Sequence, residues 1–182
     1  MAARTNSVDP RAERVRAKLR DAAFALAHER PVDQLTVGDI VDRAGVSRQV
    51  FYQHFRDRDD AVAYAIASAF ASATADLPGD ARTRIVALFD FAADHRAAYR
   101  NVVPSAVTLR VLAAFRGELA PACEQIARES NRMMPDSVGR FLLGGFVEVL
   151  RSWMEDDDAT DLRRRVTAAL DTVAALLNST PR

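Results

Sequence analysis

Three features of the chain predict an all-α fold of about nine helices. Apolar residues recur at three- and four-residue spacing along much of the chain, the period of one helix face. Residues that start and stop helices punctuate those runs: Thr36, Ser47 and Asp57 stand ahead of them, Gly45 directly after one, and Pro104, Pro121 and Pro135 between others. A chain of 182 residues that is 49% hydrophobic is also large enough to bury a substantial core. The expected organisation is a three-helix head over residues 9–57, a linking helix over 58–79 and a C-terminal helical bundle over 80–182.

Residues 1–8 are polar and read as an arm. Asp9 and Pro10 form a cap and first helical position. The helix they open runs to about Glu29, with Val15, Leu19, Ala22, Ala23 and Leu26 on one face. Thr36 and Asp39 have capping-box spacing ahead of a second helix whose apolar face is Val37, Ile40, Val41 and Ala44. Gly45 sits where a left-handed residue ends a helix. Ser47 then caps a third helix, Arg48 to Phe55, with Phe51 and Phe55 assigned to the core. Asp57 caps a fourth, with Asp59 and Asp60 at its positive end, and Leu77-Pro78-Gly79 stops it.

Downstream, residues 80–103 read as one helix, ended by Pro104-Ser105. A second runs from Val107 to Leu119, and Pro121 opens a third that carries Cys123, Ile126 and Ala127. The last two helices span about Asp136 to Met154 and Asp161 to Leu177, separated by the acidic run Glu155 to Asp158. The pair Gly144-Gly145 weakens the first of them and is useful where another backbone comes close.

Two short helices joined by a tight turn, residues 36–58, have the helix-turn-helix design. From Arg43 to Arg56 there are three arginines, one histidine and no acid, in a chain whose 25 basic and 25 acidic residues balance. Global charge therefore predicts no polyanion partner, but this window is locally cationic. Arg48 and Gln49 stand at the start of the third helix, where Arg to guanine and Gln to adenine are the favoured base-edge pairings, and Val50 suits a thymine methyl. One such helix reads few base pairs, so a homodimer on a palindromic double-stranded DNA site is expected.

The run Thr36-Val37-x-Asp39-Ile40-Val41-x-Arg43-Ala44-Gly45-Val46-Ser47-Arg48-Gln49-x-Phe51-Tyr52-x-His54-Phe55-x-Asp57-Arg58 resembles the N-terminal signature of TetR-type transcriptional regulators, densely across about residues 12–65. Val50, Arg58 and Ala61-Val62 depart from the usual small or hydroxylated residue, lysine and leucine pair. The resemblance implies phosphate contacts from Thr36, Ser47, Tyr52, His54 and Arg58; a brace against the first helix is the rival role for Tyr52. Arg4 in the arm is either a minor-groove contact or part of a tail. The basic residues Arg11, Arg14, Arg16, Lys18 and Arg20 form a solvated face or include one or two phosphate contacts.

The resemblance also implies a repressor whose bundle binds a small-molecule ligand and, through the fourth helix, changes the spacing of the recognition helices. Candidate ligand-binding residues are Phe89, His95, Tyr99, Phe115, Cys123, Met133 and Trp153, each with a core role as its alternative. The last two helices resemble the family's dimerisation pair. Phe141, Gly145, Phe146, Val149, Leu162, Val166, Leu170, Val173 and Leu177 are the candidate interface, and completion of the monomer core is the alternative.

Catalysis finds little support. His28, His54 and His95 lack metal-ligand spacing, and no phosphate-binding glycine loop, nucleophile elbow or zinc-hydrolase motif occurs. No cofactor, metal or membrane partner is expected. One cysteine and no long apolar run fit a cytoplasmic protein. The alternative function is a helical small-molecule-binding or adaptor protein that keeps the fold without using DNA.

Overall fold

A computed structural model describes residues 10–75, 79–130, 134–156 and 158–178. The arm with Arg4, the Asp9 cap, the Leu77-Pro78 stop and Met133 lie outside the described residues. Among the described residues there are nine α-helices: α1 Pro10–Glu29, α2 Val37–Ala44, α3 Arg48–Tyr52, α4 Arg58–Thr74, α5 Ala81–Asp94, α6 Arg96–Asn101, α7 Val107–Glu129, α8 Pro135–Glu155 and α9 Leu162–Asn178. A short 3-10 turn, Val32–Gln34, joins α1 to α2. None of the described helices is long and apolar enough to cross a membrane.

The head forms where local signals are densest. The Thr36 hydroxyl accepts from the Asp39 N–H at 3.1 Å, and the Asp39 carboxylate accepts from the Thr36 N–H at 2.8 Å. The Thr36 hydroxyl also donates to that carboxylate at 2.7 Å, and this bond, then Arg30 at 2.7 Å, then the Thr36 N–H, push the Asp39 pKa down to about 2. Gly45 ends α2 at φ 66° and ψ 40°, a left-handed conformation that favours glycine. Ser47 and Asp57 cap α3 and α4 through the N–H groups of Val50 and Asp60. Leu26, Val32, Leu35, Ile40, Phe51, Phe55 and Val62 are buried beneath these helices.

Three boundaries differ from expectation. The α3 helix ends at Tyr52 rather than Phe55, because the chain must turn at once into the Asp57 cap. It tightens there, with Gln53 and His54 donating to the carbonyls of Val50 and Phe51 at 3.2 and 2.9 Å. Phe55 still donates to the Phe51 carbonyl at 3.0 Å, which keeps both rings on the inner side. The single helix expected over 80–103 breaks at His95, whose φ and ψ of −105° and 27° let α6 turn across the end of α1. There the Asn101 side-chain amide donates to the Ala27 carbonyl at 2.8 Å. The break expected at Pro121 does not occur. Pro121 lies within α7, where Leu119, Ala122, Cys123 and Ala127 are all buried. A proline inside a helix costs roughly 3 kcal/mol, and apolar burial on both sides of it is of comparable size.

The body is built on α7, which packs along α8 and also meets α4 and α5. Its inner aromatics form a chain: Phe70 of α4 stacks on Phe115 of α7, which meets Phe89 of α5 edge-on, which in turn approaches Phe146 of α8. The α9 helix lies on α5, fastened by Arg82–Asp171 at 2.6 Å and by the Arg163–Asp90 pair. From α6, Arg96 and Arg100 donate to the carbonyls of Ala159 and Asp156 and hold the turn between α8 and α9.

Candidate nucleic-acid interface

The outer side of the head is organised by two buried rings. Phe51 and Phe55 face the core, so the remaining side chains of α3 are directed outward. Arg48 and Gln49 are exposed, Val50 is half-buried, and Tyr52 is 60% exposed. That exposure removes the bracing role weighed for Tyr52. The brace comes from elsewhere: the Arg16 guanidinium lies over the Tyr64 ring at 4.3 Å and the Phe55 ring at 5.9 Å, joining α1 to α4 and to the end of the motif. Arg16 is therefore no part of a solvated face. The spacing of one arginine in α1 from an aromatic 48 positions later left no readable signal.

Thr36 and Arg48 come together at the start of α2: a Cβ built on Gly38 would stand 3.3 Å from Thr36 Oγ1 and 3.1 Å from Arg48 Nη2. Ser47, directly before Arg48, is exposed, and His54 is half-buried just beyond α3. Arg58 departs from its expected place. Its side chain is only 25% exposed, and its guanidinium donates to the carbonyls of Asp33 and Leu35 at 3.2 and 3.0 Å and to the Asp59 carboxylate at 2.7 Å. It clamps α4 to the turn before α2. Arg56, which was not assigned a contact, is 74% exposed and pairs with Asp60 at 3.3 Å.

A second cluster sits at the joint of head and body. His28 Nε2, in the last turn of α1, lies 3.0 Å from His95 Nδ1 at the start of α6. His28 Nδ1 lies 2.9 Å from the Phe24 carbonyl, which accepts only, so the neutral ring carries its proton on Nδ1 and accepts from His95 Nδ1–H through Nε2. Phe24 and Phe91 flank the pair. Burial, followed by the neighbouring His28, lowers the His95 pKa from its ordinary 6.5, against a smaller opposing pull from Asp94. The unfolded chain therefore binds the proton more readily, and stability present above pH 6.5 is lost as pH falls through the folded value. The expected result is a melting temperature that falls between about pH 7 and 5, with a shallower fall for His95→Asn. Thermal denaturation across that range checks it.

Of the residues expected to bind a ligand, Phe89, Tyr99, Phe115, Cys123 and Trp153 are fully buried core side chains, and His95 is committed to the joint. Burial raises the Tyr99 pKa and pushes the Cys123 thiol up to about 12, so neither ionises near neutrality. A cleft of about 350 Å³ lies between α7 and α8, lined by Glu124, Arg128, Asp136, Arg140 and Leu143 among others. Among the described residues no group of three or more His, Cys, Asp or Glu side chains is placed to hold a metal.

The expected interface on α8 and α9 is corrected in four places. Phe146, Leu162, Val166 and Leu170 are buried within their own chain, on the faces that cover α5 and α7. Apolar periodicity selects the inward stripe of a helix, and that stripe is already covered. What stays open is the flank: Phe141 at 77% exposure, Gly144 and Gly145 beside it, Leu176 at 64%, and the half-buried Val149, Val173 and Leu177.

Residues 19–64, which contain α2 and α3, match the profile of the bacterial regulatory proteins of the tetR family. This segment is a tetR-type N-terminal region. No curated protein sequence matches the chain. Solved structures of low identity share the fold over most of this chain. The dihydroxyacetone kinase operon activator DhaS is 13% identical with a TM-score of 0.69, over 90% of this chain and 96% of its own. SmeT in complex with triclosan is 21% identical with a TM-score of 0.62, over 93% and 98%. The repressor AlkX of Dietzia, implicated in n-alkane biodegradation, is 18% identical with a TM-score of 0.58, over 88% and 96%. The matched segment includes the exposed edge of α3.

Proposed function

We propose that this tetR-type regulator binds a palindromic operator as a homodimer, represses transcription there, and is released by a small molecule. The observation that carries the DNA reading is the outward Arg48–Gln49 edge of α3, seated on the buried rings of Phe51 and Phe55. Both side chains match base-edge geometries in a major groove, and exposed Tyr52, Thr36 and Ser47 surround them as phosphate contacts. His54 and Val50 stand at the edge of the same surface.

Selection of DNA from a random pool tests this directly. A palindromic consensus is expected. Arg48→Ala or Gln49→Ala should then cost about 1–3 kcal/mol on that consensus and relax preference at one position per half-site, while Tyr52→Phe weakens all sequences evenly. Equal losses on every sequence from all three changes would contradict the assignment of base readers.

The sign of regulation is taken from the family. DhaS is named an activator and AlkX a repressor, so the shared fold leaves the choice to measurement. Transcription from an operator-linked promoter should rise when the gene is deleted. The ligand reading draws on the triclosan complex of SmeT, on the cleft between α7 and α8, and on the buried Trp153 indole N–H, which has no acceptor among the described residues. A releasing compound must bind the DNA-incompetent state more tightly than the competent one.

A further inference from the structure

We propose that Gly38 is a positioning residue for base reading: the missing side chain at this point of α2 is the seat on which the Arg48 guanidinium lies. The inference rests on the reading of Arg48 as a base contact. Gly38 is the second residue of a regular helix and has no left-handed backbone, so neither turn nor φ requires glycine there. Helix propensity argues against it. What the glycine provides is space. A Cβ at this position would stand 3.1 Å from Arg48 Nη2 and 3.3 Å from Thr36 Oγ1, tighter than ordinary packing.

The two neighbours do not yield equally. Thr36 Oγ1 is held on both sides by the capping box, accepting from the Asp39 N–H at 3.1 Å and donating to the Asp39 carboxylate at 2.7 Å. Among the described residues no carboxylate pairs with Arg48, so packing on α2 sets its direction. A methyl group at position 38 therefore moves Arg48 and leaves the cap in place. Contact with a base edge depends on the angle at which the guanidinium fork arrives, so a displaced seat alters recognition of one base pair.

A double-mutant cycle on the selected operator tests this. Gly38→Ala is expected to keep or raise the melting temperature, lower operator affinity roughly 3–10-fold, and relax preference at the base pair that Arg48 reads. In an Arg48→Ala background, Gly38→Ala should change DNA affinity no further. If Arg48→Ala relaxes preference but Gly38→Ala matches the native protein, the positioning role is overturned while the DNA reading stands. Equal losses from Gly38→Ala in both backgrounds overturn it as well, because the effect then passes through α2 itself. If Arg48→Ala leaves preference unchanged, the base-reading role of Arg48 fails, and the inference with it.

Discussion

Phe115→Ala is expected to lower the free energy of unfolding by about 3–5 kcal/mol, a large share of the 5–15 kcal/mol typical of a natural protein. Phe115 is buried at the point where three helices meet. Its ring stacks on Phe70 of α4 at 5.0 Å and meets Phe89 of α5 edge-on at 5.1 Å, and its backbone belongs to α7. Truncation removes the transfer energy of the ring, both aromatic contacts and the packing that surrounded them. The measurement is urea denaturation, in which the midpoint should fall while its slope stays the same. The result also separates two roles for this residue. A Phe115 that lined an open ligand site would lose little on truncation, whereas a keystone of the core loses several kcal/mol. Because Phe70 belongs to the helix that leaves the head, the loss should reach the seating of the DNA-reading unit as well.

How much of this was legible follows from the distance over which each cause acts. Thr36 with Asp39, Gly45, Ser47 with Val50 and Asp57 with Asp60 are contacts within four residues, and each was readable as a cap. The exposed edge of α3 was readable for the same reason, since burial of Phe51 and Phe55 leaves Arg48 and Gln49 on the outside. The break at His95 was not, because its partner His28 lies 67 residues away in sequence. Nor was the continuity of α7 through Pro121, where long-range burial overrides a strong local stop signal. Arg58 shows a further limit. A cation beside a recognition helix reads as a phosphate contact, yet its side chain is drawn to two carbonyls of the preceding turn. The ligand candidates meet the same limit: an aromatic that fills a core and one that lines a pocket have the same periodicity.

The twofold arrangement of the proposed regulator turns on the flank of α8 and α9 that the chain leaves open. Phe141→Glu is expected to convert a dimer into a monomer and to weaken operator binding by about 10²–10⁴-fold, the gain lost when two half-sites are no longer engaged together. Phe141 is largely exposed in the single chain, so the substitution itself should alter monomer stability by no more than about 0.5 kcal/mol. The effect arises in the assembly, where the ring would be desolvated against the twin and a carboxylate would have no partner. Gly144 and Gly145, next to it, have nothing within 4 Å of a built Cβ, which leaves room for the close approach of a second backbone. Phe146→Ala is the contrasting substitution. Its ring is buried beside Phe89, so it should cost about 3–5 kcal/mol in folding without acting on association directly. Sedimentation at micromolar concentration, paired with operator titration, distinguishes the two. A Phe141→Glu protein that sediments as a dimer and keeps its operator affinity would move the interface off this flank. Two recognition helices would then have to be held together by another surface of the body.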